Sequence, residues 1–525
     1  MKITRYCLVF SLAIVLALNS CTFVSTKVGQ TERTTEDFHI SSPAKAHLLD
    51  GSMVVFADGF EMTGDSIKGN GIWYNLARDK SARVPGIPLD SLAFLEHYFK
   101  QLQPGPFLGS LCAPAVFCAA LSNEDIRKAF FGSCPTVYSF DGEDYFLEAE
   151  NFSYSIAKRF EANDLDRLES GEIVDGLYRL KIANEAYETH YINQFSLLAV
   201  DHPTGYEVFP TENHDLLLLG EGCEVVQAVS KSGEDVTHLI SSRDDRWYRS
   251  DSLVLHELTQ SVVQDWIDLE VTVPPEATKM YVALRLRNTL LNTVLLYDVM
   301  LRSQGAEAID WVGSKSGNLL YAWRLDRWYK KHFGLHIQVS DGGKFTEVAR
   351  IPDTGPIAWH QVASELPVPH SETALLRFAF LPDNWTIDWI GVSFDGRKDI
   401  QVSSSQCLRI TDSKGEEKDN LIHLIKEKDK RYLVTYPGES YIVTFNPDPI
   451  PEGQERTYLV KSRGFYIEWI RQDWIASPYT TGGEFEFQLN ESSVIKAAQL
   501  WLSKKPYFEK QFFESKISHQ GGQNR

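Results

Sequence analysis

MYVALRLR, Met280 to Arg287, sets the fold class. Met280, Val282, Leu284 and Leu286 alternate with Tyr281, Ala283, Arg285 and Arg287. Strict period two is the signature of a β-strand with one face on a core. Leu335, Ile337 and Val339 repeat it around His336 and Gln338, and Leu376, Phe378 and Phe380 repeat it again. Asp-Gly dipeptides at 50, 58, 141, 175, 341 and 395 supply hairpin turns between such runs. Helical periodicity is confined to about 124–131 and 491–502, where Val494, Ala497, Ala498 and Trp501 fall at i, i+3, i+4 and i+7. The expected class is mainly β, with a small N-terminal β-barrel, several β-sandwich units and few short helices.

The chain has 525 residues, 43 % hydrophobic and 23 % charged, an ordinary balance for folded domains. That length suggests roughly three to four domains. The net charge of −19 repels phosphate backbones, so no nucleic-acid partner is expected, and it disfavours general electrostatic adhesion to anionic lipid.

Residues 1–20 carry Lys2 and Arg5, then an apolar run from Cys7 to Leu18 too short to span a bilayer. Leu18-Asn19-Ser20-Cys21 resembles a bacterial lipobox, although Asn19 departs from the small residue usual there. The resemblance implies a lipoprotein signal peptide and acylation of Cys21. A plain secretory signal and an uncleaved anchor are the other readings. Several acyl chains on Cys21 would anchor durably. Thr22 in place of Asp favours outer-membrane localisation in the lipoprotein class this resembles. Removing the leader takes away two basic residues and no acid, leaving −21 on 505 residues.

The expected organisation then runs as follows. Residues 21–45, rich in Thr, Ser, Glu and Gln, form a flexible tether. Residues 46–99 form the small barrel, whose glycine turns and Ile87-Pro88-Leu89 resemble Sm-like or SH3-like barrels. Residues 100–131 are an apolar, partly helical connector. Its uncharged 101–123 stretch is read as a buried helix or, alternatively, an interfacial membrane contact. Cys112 and Cys118 are either a disulfide or two buried thiols. Residues 132–240 form a β domain. The segment Cys134-Pro-Thr-Val-Tyr-Ser-Phe-Asp-Gly142, followed by Asn184-Glu185, Glu188-Thr189, Tyr191-Ile192-Asn193 and Val200-Asp201-His202-Pro203, resembles a group of bacterial lipoproteins without an assigned activity. That resemblance implies secretion and β architecture, and no substrate.

Residues 241–315 and 316–400 read as two copies of a jelly-roll-like half. Trp266 leads to Pro274, Thr278, an alternating strand and Asp298; Trp359 leads to Pro369, Thr373, an alternating strand and Asp388. The second copy, with LPDNWTIDWIGVSFDG from Leu381 to Gly396, resembles galactose-binding-like sandwiches. Residues 401–510 form a C-terminal β unit with a terminal helix.

Catalytic motifs are missing. There is no Gly-x-Ser-x-Gly, since Gly313 to Gly317 has Lys315 at its centre, and no phosphate loop or dinucleotide fingerprint. His256-Glu257 lacks the second histidine of a zinc protease. His332 and His336 read as outer-face strand residues that a metal could bridge with Glu347 or Asp341; solvated imidazoles are the simpler reading. Asp141, Glu143 and Asp144, with Glu148 and Glu150 nearby, are weak Ca2+ candidates or a solvated acidic turn. Trp385, beside Asn384 and Asp383, is the candidate sugar-stacking residue among Trp311, Trp323, Trp328, Trp359, Trp385 and Trp389; core filling is the competing role.

The resulting expectation is a lipid-anchored cell-envelope binding or scaffolding protein without evident catalysis, with an unidentified protein or glycan partner. The alternatives are a carbohydrate-binding protein or glycan-acting enzyme, and an assembly factor using residues 107–121.

Overall fold

The computed structural model describes residues 23–31, 38–76, 80–103, 135–186, 188–220, 222, 225–471, 474 and 487–515. The expected leader, Cys21, residues 104–131 of the expected connector with its helix at 124–131, and every cysteine except Cys407 lie outside the described residues, whereas residues 100–103 end the strand Leu92–Gln103 rather than starting a helical connector. The chain divides into two compact units. One comprises Met1–Phe130, Leu301–Gly317 and Ile470–Glu484; the other comprises Phe131–Met300, Asn318–Trp469 and Phe485–Arg525. The architecture is mainly β, as expected.

In the first unit, eight antiparallel strands form a half-barrel. Ala44, Ala46, Val54, Phe56, Phe60, Met62 and Ile67 fill its core. The stretch expected as a tether contributes Phe23–Thr31, which pairs with Leu92–Gln103, and Phe38–Ile40, which pairs with Phe60–Thr63. Its Thr, Val and Phe content suits strands, and the long Leu92–Gln103 strand supplies hydrogen-bonding partners.

The second unit corrects two expected boundaries. Residues 132–240 and 401–510 are not separate domains. One sheet runs Tyr145–Glu150, Thr136–Phe140, Tyr178–Ala183, Ser440–Phe445, Cys407–Asp412, mixing both regions. The facing sheet runs Ala162–Arg167, Gln454–Glu468, Glu188–Pro203, Val402–Ser405, with Leu433–Thr435 also on Glu188–Pro203. Val137, Leu180, Phe195 and Leu197 share one core with Ile410, Val443, Phe445 and Val460. This flanking sandwich closes around the insertion that lies between residues 203 and 402.

The insertion holds a second sandwich. Val225–Ser230, Asp265–Thr272, Thr373–Phe380, Leu335–Asp341 and Lys344–Ile351 form one sheet, and His360–Leu366, Met280–Asn288 and Trp385–Ser393 the other. The two expected half-copies are therefore two arches of one sandwich. The Pro274 corner carries the chain from Asp265–Thr272 in the first sheet to Met280–Asn288 in the second. The Pro369 corner returns it from His360–Leu366 to Thr373–Phe380, and the arches pair strand to strand. Met280, Val282, Leu284, Leu286, Ile337, Leu376 and Phe378 lie together in its core.

The nominally outward face of Met280–Asn288 is also covered. Phe209, Leu217 and Leu219, from the small sheet Glu207–Pro210, Leu216–Leu219, Gly396–Arg397, pack on Tyr281 and Ala283. Five of the six Asp-Gly glycines have positive φ, as hairpin turns require. The sixth, Gly396, lies in a strand instead, where a Cβ would come within 2.4 Å of the Tyr281 ring.

Helices also lie outside the stretches of helical periodicity: α1 (Ser252–Leu258), capped by Asp251, and α2 (Leu319–His332), capped by Asn318. The C-terminal α3 (Glu491–Ser515) is longer than expected but buries Val494, Ala497, Ala498 and Trp501, the stripe read from sequence.

The flanking sandwich hinges on the pairing of Glu188–Pro203 with Gln454–Glu468, which has a bulge between Ile192 and Gln194. At Gly464 a Cβ would lie 2.4 Å from the Tyr191 carbonyl oxygen and 2.7 Å from the Phe152 ring. Gly464→Ala is therefore expected to cost about 1–3 kcal/mol, read as a lower urea midpoint with an unchanged slope.

Candidate functional site

The residues singled out from sequence have structural work. Trp385 is fully buried in the inserted sandwich, so it presents no stacking face. Burying so large an apolar surface outweighs any use as an open platform. Asp383 is also fully buried and anchors α3: its Oδ2 accepts from Trp501 Nε1 and from Lys505 Nζ, each at 2.6 Å. Asn384 donates from Nδ2 to Asp353 Oδ1 at 2.8 Å, and its backbone oxygen accepts from Asn288 Nδ2 and the Thr289 N–H. Asp141 Oδ1 accepts the backbone N–H groups of Glu143 and Asp144, both at 2.8 Å, which holds its carboxyl below the usual range. The three acids thus form a hydrogen-bonded turn. His332 ends α2, whereas His336 lies on the neighbouring strand with Nδ1 3.1 Å from Glu347 Oε2. No metal-holding group of three such residues occurs among the described residues.

A different set converges where the two sandwiches of the second unit meet. Glu150 ends one strand of the flanking sandwich; Asp164 and Asp166, two apart on Ala162–Arg167, share a face. Leu165 between them points the other way, into a cluster with Val200, Val208 and Leu459. From the inserted part come Asp353, Trp359 and His360, and the Thr211–His214 turn adds Thr211, Glu212 and His214. Together they line a crevice of about 40 Å3, with Tyr154 and Gly355. Among the described residues, no lysine or arginine lines it.

Each carboxylate is held differently. Glu150 Oε2 accepts the N–H groups of Ile357 and Ala358 at 2.5 and 2.9 Å. Gly355 must lack a side chain here, because a Cβ would meet the Glu150 carboxyl at 2.1 Å. Burial nevertheless pushes Glu150 up to about 8, against those two bonds and the charge of Arg287. Asp164 accepts from the Phe152 and Leu165 N–H groups at 2.6 and 3.0 Å. Burial, then the charge of Asp166, raises it to about 7. Asp166 Oδ1 lies 2.9 Å from His360 Nδ1. Burial pulls His360 down, but the bond and charge of Asp166, with Asp164 behind it, outweigh this and leave it raised. Asp166 is only 7 % exposed, and its Oδ2 has no hydrogen-bond partner among the described residues. Two non-glycine residues beside the crevice, Phe152 and His214, hold positive φ of 44° and 62°, backbone strain of the kind that gathers at functional sites.

Trp359 forms part of the wall. Arg285 and Arg287 lie over its ring at 4.7 and 4.4 Å from the centroid. From the mouth, Thr211 and Glu212 continue into an open groove of about 470 Å3, lined further by Asn213, Leu216, Glu365 and Lys398. The crevice is the size of one or two waters or a ligand's end group, whereas the groove is in the range of small-molecule sites.

With 71 acids in the chain, composition alone offers too many pairs to single these out. The available signal was local: two aspartates at i and i+2 on a strand, and a Trp-His pair opening another.

No family model and no curated protein matches the chain. Among solved structures, the C-terminal CBM6 of LamC, a marine laminarinase from Zobellia galactanivorans, is 7 % identical, with a TM-score of 0.14, covering 38 % of this chain and 98 % of that one. The cycloalternan-forming enzyme of Listeria monocytogenes, in complex with its pentasaccharide substrate, is 9 % identical with a TM-score of 0.17, covering 64 % of this chain. The match spans 31 % of the Listeria chain. A structure of infectious bursal disease virus, Gx strain, is 8 % identical with a TM-score of 0.14, covering 93 % of this chain and 89 % of that one. Scores this low define no shared fold and pass no activity to this chain.

The raised carboxyls make stability pH-dependent. An unfolded glutamate titrates near 4.5 and folded Glu150 near 8, so between these values the folded chain keeps a proton that the unfolded chain has lost. Stability then falls as pH rises from about 4.5 to about 8 and levels off above; Asp164 acts in the same direction up to about 7. Urea titrations across this window are expected to show that decline, and Glu150→Gln to make it shallower.

Proposed function

We propose that the chain is a cell-envelope protein, lipid-anchored through Cys21, that binds a polyhydroxylated ligand of the glycan class in the groove and crevice of its second unit. The observation that carries the ligand class is Asp166 Oδ2, a buried acceptor at the crevice without a donor among the described residues. Leaving such an acceptor unmatched costs about 1–3 kcal/mol, which a ligand hydroxyl would recover. A crevice rich in carboxylates and, among the described residues, without lysine or arginine repels anions and accepts hydroxyl donors. Trp359 adds an apolar wall, and the groove has room for a saccharide unit whose end group enters the crevice.

Binding without turnover is the primary reading. A hydrolytic reading has one specific support: Glu150, held protonated near neutral pH, shares the crevice with Asp166, the pairing of acid and carboxylate used in glycoside hydrolysis.

The test is a glycan array followed by calorimetry on the mature full-length chain. At least one glycan is expected to bind, and Asp166→Asn, with an unchanged melting temperature, is expected to weaken it about tenfold or more. Absence of any glycan signal, or wild-type affinity in that variant, would overturn the ligand class. Release of reducing ends from the bound glycan would favour the hydrolytic reading. Separately, Cys21→Ala is expected to move the protein from the membrane to the soluble fraction; continued membrane association would refute the acyl anchor.

A further inference from the structure

Helix α2 presents a face unlike the rest of this acidic chain. Leu319, Leu320 and Trp323 are 68, 65 and 57 % exposed within one helical turn. Single exposed apolar residues are ordinary, but three large ones in a turn are a patch. Directly beyond them come Arg324, Arg327, Lys330 and Lys331, with Asp326 the only acid of the helix. Leu320, Trp323, Arg324, Arg327 and Lys331 fall at i, i+3, i+4, i+7 and i+11, so apolar and cationic groups share one stripe. Lys330 pairs with Asp326 at 3.0 Å and Lys331 with Glu491 at 3.1 Å. Arg324 and Arg327 have no carboxylate partner among the described residues. A groove of about 440 Å3 runs beside them, lined by Trp323, Trp328, His332, Asn490 and one acid, Glu491, which Lys331 already pairs.

The helix is firmly seated, so this face is a built surface. Trp328 is buried, donates from Nε1 to the Asn490 carbonyl at 3.1 Å, and packs edge-on against Phe487 at 5.8 Å. Tyr329 stacks on Phe333 at 5.0 Å.

We propose that α2 docks the second unit onto an anionic lipid surface. In this arrangement Leu319, Leu320 and Trp323 enter the headgroup boundary, and Arg324 and Arg327 take lipid phosphates in the groove. Leu and Trp on an amphipathic helix rich in Arg and Lys have the chemistry of an interfacial membrane helix. The net charge of −19 does not oppose this, because charges more than about 10 Å away are largely screened at physiological salt. The local excess of cations on α2 decides. This surface would orient the protein on the membrane, a role distinct from tethering by an acyl chain, and it does not depend on the glycan reading.

The test uses the mature full-length chain carrying Cys21→Ser, which removes any acyl contribution. Cosedimentation is measured with vesicles of phosphatidylcholine alone and with about 30 % phosphatidylglycerol. Binding is expected only to the anionic vesicles. Arg324→Glu with Arg327→Glu is expected to weaken it about tenfold or more, and Leu320→Ser with Trp323→Ser to abolish it. The milder pair Arg324→Gln with Arg327→Gln, checked for an unchanged melting temperature, guards against misfolding and should lose binding in the same direction. No sedimentation with anionic vesicles, equal binding to both compositions, or wild-type binding by the folded Gln pair would each overturn the proposal. Binding of soluble glycerol phosphate without vesicle binding would overturn it in favour of a small-anion pocket.

Discussion

The antiparallel pairing of Glu188–Pro203 with Gln454–Glu468 is the constraint on which the second unit depends. It joins two stretches some 250 residues apart in sequence and runs the full length of the shorter, 15-residue strand. Closing so long a loop costs entropy that grows only slowly with length, so a continuous ladder and a shared core can offset it. Once it forms, the insertion leaves and re-enters the flanking sandwich at the Pro203 end of the pair, and Ala162–Arg167 is fixed on the outer side of Gln454–Glu468. Register then decides the chemistry. Asp164 and Asp166 share a face because strand side chains alternate, and a shift of one residue would put Leu165 in their place.

The acids of the crevice are kept by geometry that opposes their preferred solvation. Glu150 and Asp164 each accept two backbone N–H groups, yet burial still favours their protonated forms. Asp166 is matched on one oxygen by His360 and, among the described residues, unmatched on the other. A fold selected only for stability would have little reason to keep such a cluster at the junction of two sandwiches. Tolerance of that cost, with the left-handed backbone at Phe152 and His214, is what separates the crevice from the paired acids elsewhere, such as the Arg456–Asp201 or Arg377–Asp268 bridges.

Much of the local structure was legible in the chain. The alternating runs at 280, 335 and 376 are strands in one core, and the stripe at Val494, Ala497, Ala498 and Trp501 is the buried face of α3. The repeat of Trp, Pro and Thr is real as two arches, but it closes one sandwich, because each arch leaves a sheet that only the other can cover. Asp383, Asn384 and Trp385 looked like ligand-facing polar and aromatic groups. Their burial against α3 and Asp353 depends on residues more than a hundred positions away or in another loop, which local composition does not report. Helix α2 is not legible in that way, because its exposed Leu and Trp blur the polar face that a soluble helix normally shows.

The sequence by itself determined the β character, the turns, the amphipathic C-terminal helix and the acidic balance, since each is written in the order of neighbouring residues and in simple counts. Tertiary structure alone decided that the strands between residues 136 and 203 and those between 402 and 468 are one sandwich, that the two half-copies are one core, and which few of 71 acids come together around His360. Those outcomes depend on strand register and on contacts between residues hundreds of positions apart, and neither leaves a periodic trace in the local sequence.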